Sequence, residues 1–383
     1  MLIAAPGLIT GLPGTGVLAP GYLTASGGLI TEVGEGPPPK PPDTALPTGV
    51  LVPGLVDLQV NGYYGVDLAD CDPEGWATVA RRLPETGTTA FLPTFITAPV
   101  ARLATTLRSA QKIAGAATAG ARVLGVHLEG PFLSPARAGA HRRDWMVLPS
   151  PEAVAELLDA GHGLLRVVTL APETDGALAA VSELAASGVV VSVGHSDATA
   201  GQVAAAADAG ARMVTHLFNA QRGLHHREPG VVGQALTDHR LTSGLIVDLC
   251  HVSAAACAIA FAAAPRRICL VTDAAASAGM PPGRYVLGGQ PVELPPGGAA
   301  PVRPGGTLAG SALRMDLAVA NAVTVGLGLA EAVAAASRVP ADLIGRPDLG
   351  RLAPGAAADL AWLGDDLRTK ATWVGGEQVY GSR

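Results

Sequence analysis

The segment from Val123 to Phe132, VLGVHLEGPF, joins an apolar run to two ionisable side chains. This pattern is typical of a short buried strand that ends at Gly-Pro. His127 and Glu129 are two residues apart and therefore lie on the same face of that strand. Burying either side chain is unfavourable unless a partner compensates its polarity. Taken alone, the segment is equally consistent with a core carboxylate held by an arginine or by backbone amides.

Histidines and acids recur where other apolar runs end, which points to metal chemistry. His195 in GHSD and His216 in THLFN follow two such runs. Two imidazoles and one carboxylate from different strands supply three ligands and leave a fourth position open, as in catalytic zinc sites. We therefore predict that Glu129, His195 and His216 bind one divalent metal ion. Zn²⁺ is the first choice, and the same ligand types accept Fe(II), Co(II) or Mn(II).

Asp273, in the motif VTDA, ends the last apolar run and is the candidate general base. A metal ion in the predicted site lowers the pKa of water and polarises a carbonyl group. Asp273 would accept a proton from that water and pass it to the leaving group. A single histidine is more often a hydrogen-bonded core residue. Four strand-end residues of ligand and base type are hard to explain in that way.

The apolar runs that carry these residues alternate with alanine-rich helical segments. Strands are predicted at 55–60, 90–96, 123–128, 165–170, 189–193, 213–217, 244–249 and 268–272. Helical patterns are predicted at 154–160, 177–186, 201–209 and 254–263. This alternation predicts a (β/α)8 TIM-type barrel, in which catalytic groups lie where strands end. A doubly wound open sheet is the alternative, but no GxGxxG motif follows a strand to support it.

The two ends of the chain differ from its middle. Short apolar segments separated by Gly-rich turns occupy the N-terminal part, and the C-terminal part resembles it, with a hairpin predicted at Gly375-Gly376. We predict that the two ends form one small β-sandwich domain. Its predicted segments are 1–52 and 351–383, and the predicted barrel is 53–350.

Composition narrows the functional class. The chain has 383 residues, 49% hydrophobic and 15% charged, which is ample for a large core. The net charge of -6 argues against a general nucleic-acid surface. The four cysteines have no CxxC spacing, and no apolar run approaches the ~20 residues that span a bilayer. We therefore expect a cytoplasmic protein with neither a nucleic-acid nor a membrane partner.

The ordered motifs resemble those of the amidohydrolase superfamily and, within it, the N-acetylglucosamine-6-phosphate deacetylase family. They extend over nearly the whole chain: PGLVDLQVNG from Pro53, HLEGPF from His127, AGAH ending at His141, GHSDA from Gly194, THLFNA from Thr215, VDLCHV from Val247, VTDA from Val271 and LAGS from Leu308. The resemblance implies hydrolysis of the acetamide of N-acetylglucosamine 6-phosphate to glucosamine 6-phosphate and acetate. It also implies a homodimer with part of the phosphate site near the interface.

The same resemblance implies a set of substrate contacts. His141 would steady the carbonyl oxygen as it becomes an oxyanion. Ala140 would contact the substrate beside His141, and the contacts implied for the sugar phosphate come from Asn219, Ala220, Arg227, Asp248, His251, Leu308, Ala309 and Gly310. A guanidinium group suits a phosphate because it can donate two hydrogen bonds at once. The alternative for Arg227 is an ordinary surface arginine beside Glu228.

One departure from the superfamily pattern concerns a second metal ion. Many members have His-x-His where this chain has Gln59-Val60-Asn61, and no lysine lies in an evident bridging position. Amide side chains are poor ligands, so we predict one tightly held ion, with Gln59 and Asn61 as neighbours of the oxyanion or of a weak second ion. Three rival functions stay open: hydrolysis of a cyclic amide, deacetylation of the galactosamine epimer, and sugar-phosphate binding without catalysis.

Overall fold

The computed structural model describes residues 1–114, 120–298 and 300–381. Within these ranges, eight parallel strands form a barrel: β1 (Leu55–Val60), β2 (Thr88–Ile96), β3 (Val126–Glu129), β4 (Leu165–Leu170), β5 (Val190–Val193), β6 (Met213–Val214), β7 (Thr242–Leu245) and β8 (Ile268–Leu270). Each strand pairs with the next along the chain. A parallel bridge between Val60 and Ala274 brings the last strand back to the first. The predicted TIM-type barrel is confirmed, and the open sheet is excluded.

The α-helices lie between and after the barrel strands. Their bounds are Pro73–Arg82, Val100–Ala114, Pro151–Ala160, Ala177–Ala186, Ala200–Ala209, Gly230–Thr237, Ala254–Ala263, Met315–Thr324, Leu329–Ala336 and Arg338–Leu343. Several begin at a residue whose side chain accepts a hydrogen bond from the first turn, namely Asp72, Ser150, Thr199 and Ser253. Such caps satisfy backbone N–H groups that have no partner within the helix, and so fix where each helix starts. All four helices predicted from the sequence are present.

Three barrel strands end earlier than the apolar pattern predicted. The predictions extended to residues 217, 249 and 272, whereas β6, β7 and β8 end at Val214, Leu245 and Leu270. Beyond these points the backbone reaches positive φ values, 26° at His216, 62° at Leu249 and 51° at Asp273. Regular strand conformation cannot include these three residues, although the apolar pattern runs up to them.

The terminal segments form two sheets outside the barrel. One contains Leu2–Ala5, Gly21–Ser26, Leu29–Glu35 and Thr44–Ala45; the other contains Gly7–Ile9, Val17–Leu18, Val50–Pro53, Leu360–Leu363, Thr369–Val374 and Glu377–Tyr380. Leu360–Leu363 pairs antiparallel with Val50–Pro53, so both ends of the chain share one sheet. Apolar side chains from the two sheets form a common core. The hairpin at Gly375-Gly376 is confirmed, while the domain boundaries stay predictions.

A β-hairpin that the sequence analysis did not identify lies between β8 and the helix Met315–Thr324. Its strands are Gly283–Leu287 and Gln290–Leu294. Leu287 and Val292 of this hairpin share a small apolar cluster with Ile96, at the end of β2. The hairpin therefore lies against the carboxyl end of the barrel. No helix in the described ranges is both long enough and apolar enough to cross a membrane.

A buried carboxylate, Asp57 on β1, links this strand to Thr272, just after β8. Its Oδ2 accepts a hydrogen bond from Thr272 Oγ1 at 2.5 Å. Its Oδ1 accepts from the backbone N–H groups of Gln59 at 3.1 Å and Thr272 at 3.3 Å. Burial raises the pKa of Asp57 to about 7, although the hydrogen bonds from Thr272 and Gln59 oppose the rise. This link therefore contains a group that titrates near neutral pH.

We predict that Asp57→Asn alters the pH dependence of stability. The folded-state pKa of Asp57 lies above that of an unfolded aspartate, so its contribution is fully present below about pH 4 and is lost as the pH rises through 7. Between about pH 5 and about pH 8, the wild type should lose about 2–3 kcal/mol relative to the isosteric asparagine variant. Urea unfolding of chelator-treated protein measures this difference. If the free energies of unfolding of the wild type and of Asp57→Asn differ by the same amount at both pH values, the protonation state of Asp57 does not change on unfolding.

Candidate active site

The carboxyl ends of β3, β5 and β6 bring three electron-pair donors together. His195 Nε2 lies 3.1 Å from Glu129 Oε1 and 3.1 Å from His216 Nε2. His216 Nε2 lies 2.8 Å from the same carboxylate oxygen. All three side chains are buried. The structure thus assembles the three residues that the sequence predicted as metal ligands, from strands far apart in the chain.

The tautomer of His195 is fixed by its outer ring nitrogen. Nδ1 lies 3.0 Å from the backbone carbonyl oxygen of Arg137, which can only accept, so Nδ1 carries the hydrogen. In the neutral ring, Nε2 therefore presents its lone pair to Glu129 Oε1. Two electron-rich atoms at this distance repel unless a cation or a proton lies between them. A donor set of one carboxylate and two imidazoles fits a divalent metal ion.

The electrostatics of the cluster keep Glu129 in the form that binds cations. Burial acts to raise the pKa of Glu129, but His195 and His216, which hydrogen-bond to the carboxylate when their Nε2 atoms are protonated, outweigh burial and hold this pKa well below its usual value. Burial acts to lower the pKa of His216, but its contact with Glu129 outweighs burial and raises that pKa. Glu129 is therefore ionised at neutral pH and binds positive charge.

His141 belongs to a second grouping, because Glu129, His141 and His195 each offer one donor atom within 4.8 Å of the others. Its Nδ1 accepts a hydrogen bond from the backbone N–H of Thr97 at 3.3 Å. The ring hydrogen is therefore on Nε2, which lies 3.9 Å from Glu129 Oε2. Burial, aided by His195, holds the pKa of His141 well below its usual value, so the ring is neutral. A neutral ring with an N–H at Nε2 suits a hydrogen-bond donor to an oxyanion rather than a ligand.

Asp273 is oriented by the side-chain amides of Gln59 and Asn61. Its Oδ1 accepts hydrogen bonds from Gln59 Nε2 at 3.0 Å and Asn61 Nδ2 at 2.7 Å. Gln59 Nε2 also lies 3.3 Å from Glu129 Oε2. Asp273 Oδ2 makes no hydrogen bond within the described ranges. Burial, together with the negative charge of Glu129, raises the pKa of Asp273 to about 6. The carboxylate can therefore exchange a proton near neutral pH.

Two glycines of the predicted motifs are required by close packing around these residues. Gly310 has φ 66°, and a Cβ there would lie 3.0 Å from the backbone oxygen of Asp273. Gly139 has φ 56°, and a Cβ there would lie 3.0 Å from His195 Cε1. The AGAH loop thus lies close to His195 and the LAGS loop close to Asp273, and a side chain at either glycine would force its neighbour to shift.

A cavity of about 410 Å³ opens onto this cluster, which is within the range of small-molecule sites. Its lining includes most of the residues that the resemblance assigned to substrate, namely Ala140, His141, Asn219, Ala220, His251, Leu308 and Gly310. Asp248 and Ala309 do not line it. Asp248 Oδ2 instead lies 2.6 Å from His251 Nδ1 and so fixes the orientation of that ring.

Arg227 does not line the cavity and lies on an exposed loop. Its guanidinium group makes no ion pair with any described residue. The surface pair with Glu228, considered above as the alternative, does not form, because Glu228 Oε1 accepts from the backbone N–H groups of Ala200 at 2.8 Å and Gly230 at 3.1 Å. The guanidinium group of Arg227 is therefore available to contact a group outside the cavity of its own chain.

Some cavity residues were missed by the sequence analysis. Arg143, two positions after His141, lines the cavity and forms no ion pair in the described part of the chain. Its place on the same loop as His141 was a signal that could have identified it. Leu287 and Thr307 come from the segment that contains the unpredicted hairpin, and no motif marked them.

Comparison with known proteins identifies relatives along most of the chain. The Amidohydrolase family matches residues 50–379. The N-acetylgalactosamine-6-phosphate deacetylase of Escherichia coli O157:H7 is 40% identical over 330 residues, which cover 86% of this chain and 87% of the relative. The human N-acetylglucosamine-6-phosphate deacetylase is 40% identical over 345 residues, covering 86% and 83%. The crystal structure of N-acetyl-D-glucosamine-6-phosphate deacetylase from Mycobacterium smegmatis matches with a TM-score of 0.93 at 37% identity, covering 99% of this chain and 100% of that one. The chain belongs to the amidohydrolase family.

Proposed function

We propose that this chain hydrolyses the acetamide of N-acetylglucosamine 6-phosphate, giving glucosamine 6-phosphate and acetate. The observation that carries the proposal is the convergence of Glu129, His195 and His216 beside Asp273, in a cavity that His141 also lines. Deacetylases of N-acetyl amino-sugar phosphates are the relatives that match this chain along most of its length. Binding without catalysis requires neither a ligand set nor a general base, so the arrangement disfavours a binding protein.

We propose that Glu129, His195 and His216 hold one divalent metal ion, preferably Zn²⁺, with Fe(II), Co(II) and Mn(II) as alternatives. When bound there, the ion supplies Lewis acidity, which acidifies water and polarises a carbonyl group. One ion is proposed because Gln59 and Asn61 direct N–H groups toward the neighbouring carboxylates. An N–H group cannot act as a metal ligand.

We predict that His195→Ala and His216→Ala each abolish metal binding and activity, because a site of three ligands that loses one retains too few to hold the ion. Elemental analysis of purified protein measures the metal content per chain. His251→Ala is a matched control, because His251 lines the same cavity but lies outside the ligand set. A histidine variant that kept a full complement of metal would contradict the assignment.

We propose that Asp273 transfers a proton from the attacking water to the departing amine. Gln59 and Asn61 occupy its Oδ1, which leaves Oδ2 to accept a proton from the attacking water and pass it to the departing amine. A pKa of about 6 lets the group accept that proton at neutral pH and release it again. His141 is proposed to donate its Nε2–H to the carbonyl oxygen as negative charge develops there.

We predict that Asp273→Asn folds, retains about one metal ion per chain, binds substrate, and loses kcat by roughly 10²–10⁴-fold, the usual contribution of a general base. Asparagine keeps the shape and the hydrogen-bond acceptor, but it cannot carry a proton. In the wild type, activity should fall on the acidic side because a protonated Asp273 cannot accept a proton, and this limb should belong to Asp273 and the attacking water as a coupled pair rather than to one residue. If metal content falls together with activity, Asp273 supports the site structurally and the proton transfer belongs to another group.

Acetate release tests the proposed reaction directly. N-acetylglucosamine 6-phosphate should be the preferred substrate, and unphosphorylated N-acetylglucosamine the matched poor one. The galactosamine epimer must be included, because the relative named for it is as similar to this chain as the human enzyme is, at 40% identity. A higher kcat/KM for that epimer would reassign the substrate but keep the reaction. No acetate from any of the three would refute the proposal.

We further propose a cytoplasmic homodimer with the phosphate subsite near its interface. Leu224 and Leu249, on the loops next to Arg227 and His251, are 59% and 39% exposed. Large exposed apolar side chains are compatible with a surface that a protein contact covers. In such a dimer the exposed Arg227 would complete a phosphate subsite that the chain does not complete within its own cavity. The free cysteines among the described residues fit a reducing compartment.

We predict that Arg227→Ala lowers kcat/KM for the phosphorylated substrate. The loss should correspond to about 2–4 kcal/mol of transition-state stabilisation, as expected when a charged hydrogen bond is lost. Activity on the unphosphorylated sugar should change far less. Arg143→Ala is the informative comparison, since Arg143 lines the cavity of its own chain. Equal losses on both substrates in Arg227→Ala would mean that Arg227 serves the fold or the chemistry instead.

A further inference from the structure

A closed circuit of contacts surrounds His195, and the proposed mechanism does not use it. His195 Nδ1 donates to the backbone carbonyl oxygen of Arg137 at 3.0 Å. The Arg137 side chain turns back and pairs with Asp197, through Nε at 2.8 Å and a terminal nitrogen at 2.7 Å from the same Oδ1. Asp197 stands two positions after His195. The residue that orients the histidine is therefore held by a carboxylate from the histidine's own loop.

Asp197 is itself held firmly. Its second oxygen accepts a hydrogen bond from Arg222 at 2.7 Å. Its backbone N–H donates to Glu173 Oε1 at 2.6 Å, and the neighbouring Ser196 hydroxyl donates to the other oxygen of Glu173 at 2.7 Å. The carboxylate of Asp197 thus has a defined position from which it can fix Arg137.

The Arg137 segment touches His195 at two further points. The backbone N–H of Ser134 donates to the His195 carbonyl oxygen at 3.0 Å. Gly139 packs against the ring, close to Cε1. Between these points, the carbonyl of Arg137 belongs to a single short 3-10 turn, Pro135–Arg137. So short a turn has few internal hydrogen bonds to hold that carbonyl, and the arginine side chain supplies the missing constraint.

We propose that the Arg137–Asp197 ion pair positions His195 for metal binding: by fixing the Arg137 carbonyl, it keeps the hydrogen on Nδ1 and aims the Nε2 lone pair at the cation site. This inference rests on the proposed metal-ligand role of His195. Arg137 and Asp197 are positioning residues, since they act through the histidine. Groups that hold the outer nitrogen of a ligating histidine set its tautomer and its orientation, and thereby the affinity of the site.

The test is the affinity of metal-free protein for Zn²⁺, measured without substrate by competition with a chromogenic chelator. Arg137→Ala keeps the carbonyl but removes the side chain that fixes it, and Asp197→Asn removes the charge that holds that side chain. Each should raise the Kd for Zn²⁺ by about 10–100-fold. Arg137→Lys restores a cation opposite Asp197 and should recover most of the affinity. The absorption spectrum of Co²⁺-loaded protein should shift in the two weakened variants and return toward wild type in the lysine variant.

Arg222→Ala is the matched control, because it removes an arginine from the same carboxylate without touching the segment that holds His195. It should weaken Zn²⁺ binding clearly less than Arg137→Ala does, because Arg137 still pairs with Asp197 and Glu173 still holds the Asp197 backbone. Wild-type affinity in Arg137→Ala, or an equal loss in Arg222→Ala, would overturn the proposal. Circular dichroism checks folding, and Arg137→Gln, which keeps most of the side chain but no charge, replaces the alanine variant if that one does not fold. A chain that binds Zn²⁺ in this pattern but releases no acetate would refute the proposed function alone.

Discussion

Three buried electron-pair donors that lie within about 3 Å of one another repel each other unless positive charge lies among them. Glu129, His195 and His216 are in that situation, and the surrounding structure maintains it. The barrel fixes their backbones, the Arg137 carbonyl fixes one tautomer, and Gln59 holds the second oxygen of the carboxylate. The affinity of the site for a cation is thus a consequence of the repulsion that the fold imposes on its own side chains.

That repulsion is accompanied by strained backbone. His195, His216 and Asp273 have φ values of 47°, 26° and 51°, a region that residues other than glycine rarely adopt. Each such residue costs roughly 1–3 kcal/mol and persists only where its surroundings determine it. The continuous parallel pairing of the barrel and the hydrogen bonds of Asp57 to Thr272 supply that determination. The hydrogen-bonded strands of the barrel therefore offset the unfavourable backbone conformations at their carboxyl ends.

The sequence predicted the features that depend on local pattern. Apolar runs and Ala-rich segments identified the barrel, and the residues after each run identified the cluster around Glu129. The missed features depend on contacts between distant segments. The orientation of His141 depends on the backbone of Thr97, the position of Arg137 depends on Asp197, and Asp248 serves His251 rather than lining the cavity. The hairpin at Gly283–Leu294 has too short an apolar pattern to be recognised, and hydropathy does not encode the positive φ values that follow β6, β7 and β8.

The strand Val50–Pro53 has a consequence for how the protein is made. It pairs with Leu360–Leu363, and Gly54 alone separates it from β1. During translation the whole barrel is synthesised between these two partners, so one edge of Val50–Pro53 stays unpaired until the C-terminal strands leave the ribosome. Pairings between segments so distant form slowly, and an open strand edge recruits other chains in the meantime. We expect the yield of native protein to depend on chaperones and on the rate of elongation more than on the stability of the finished fold.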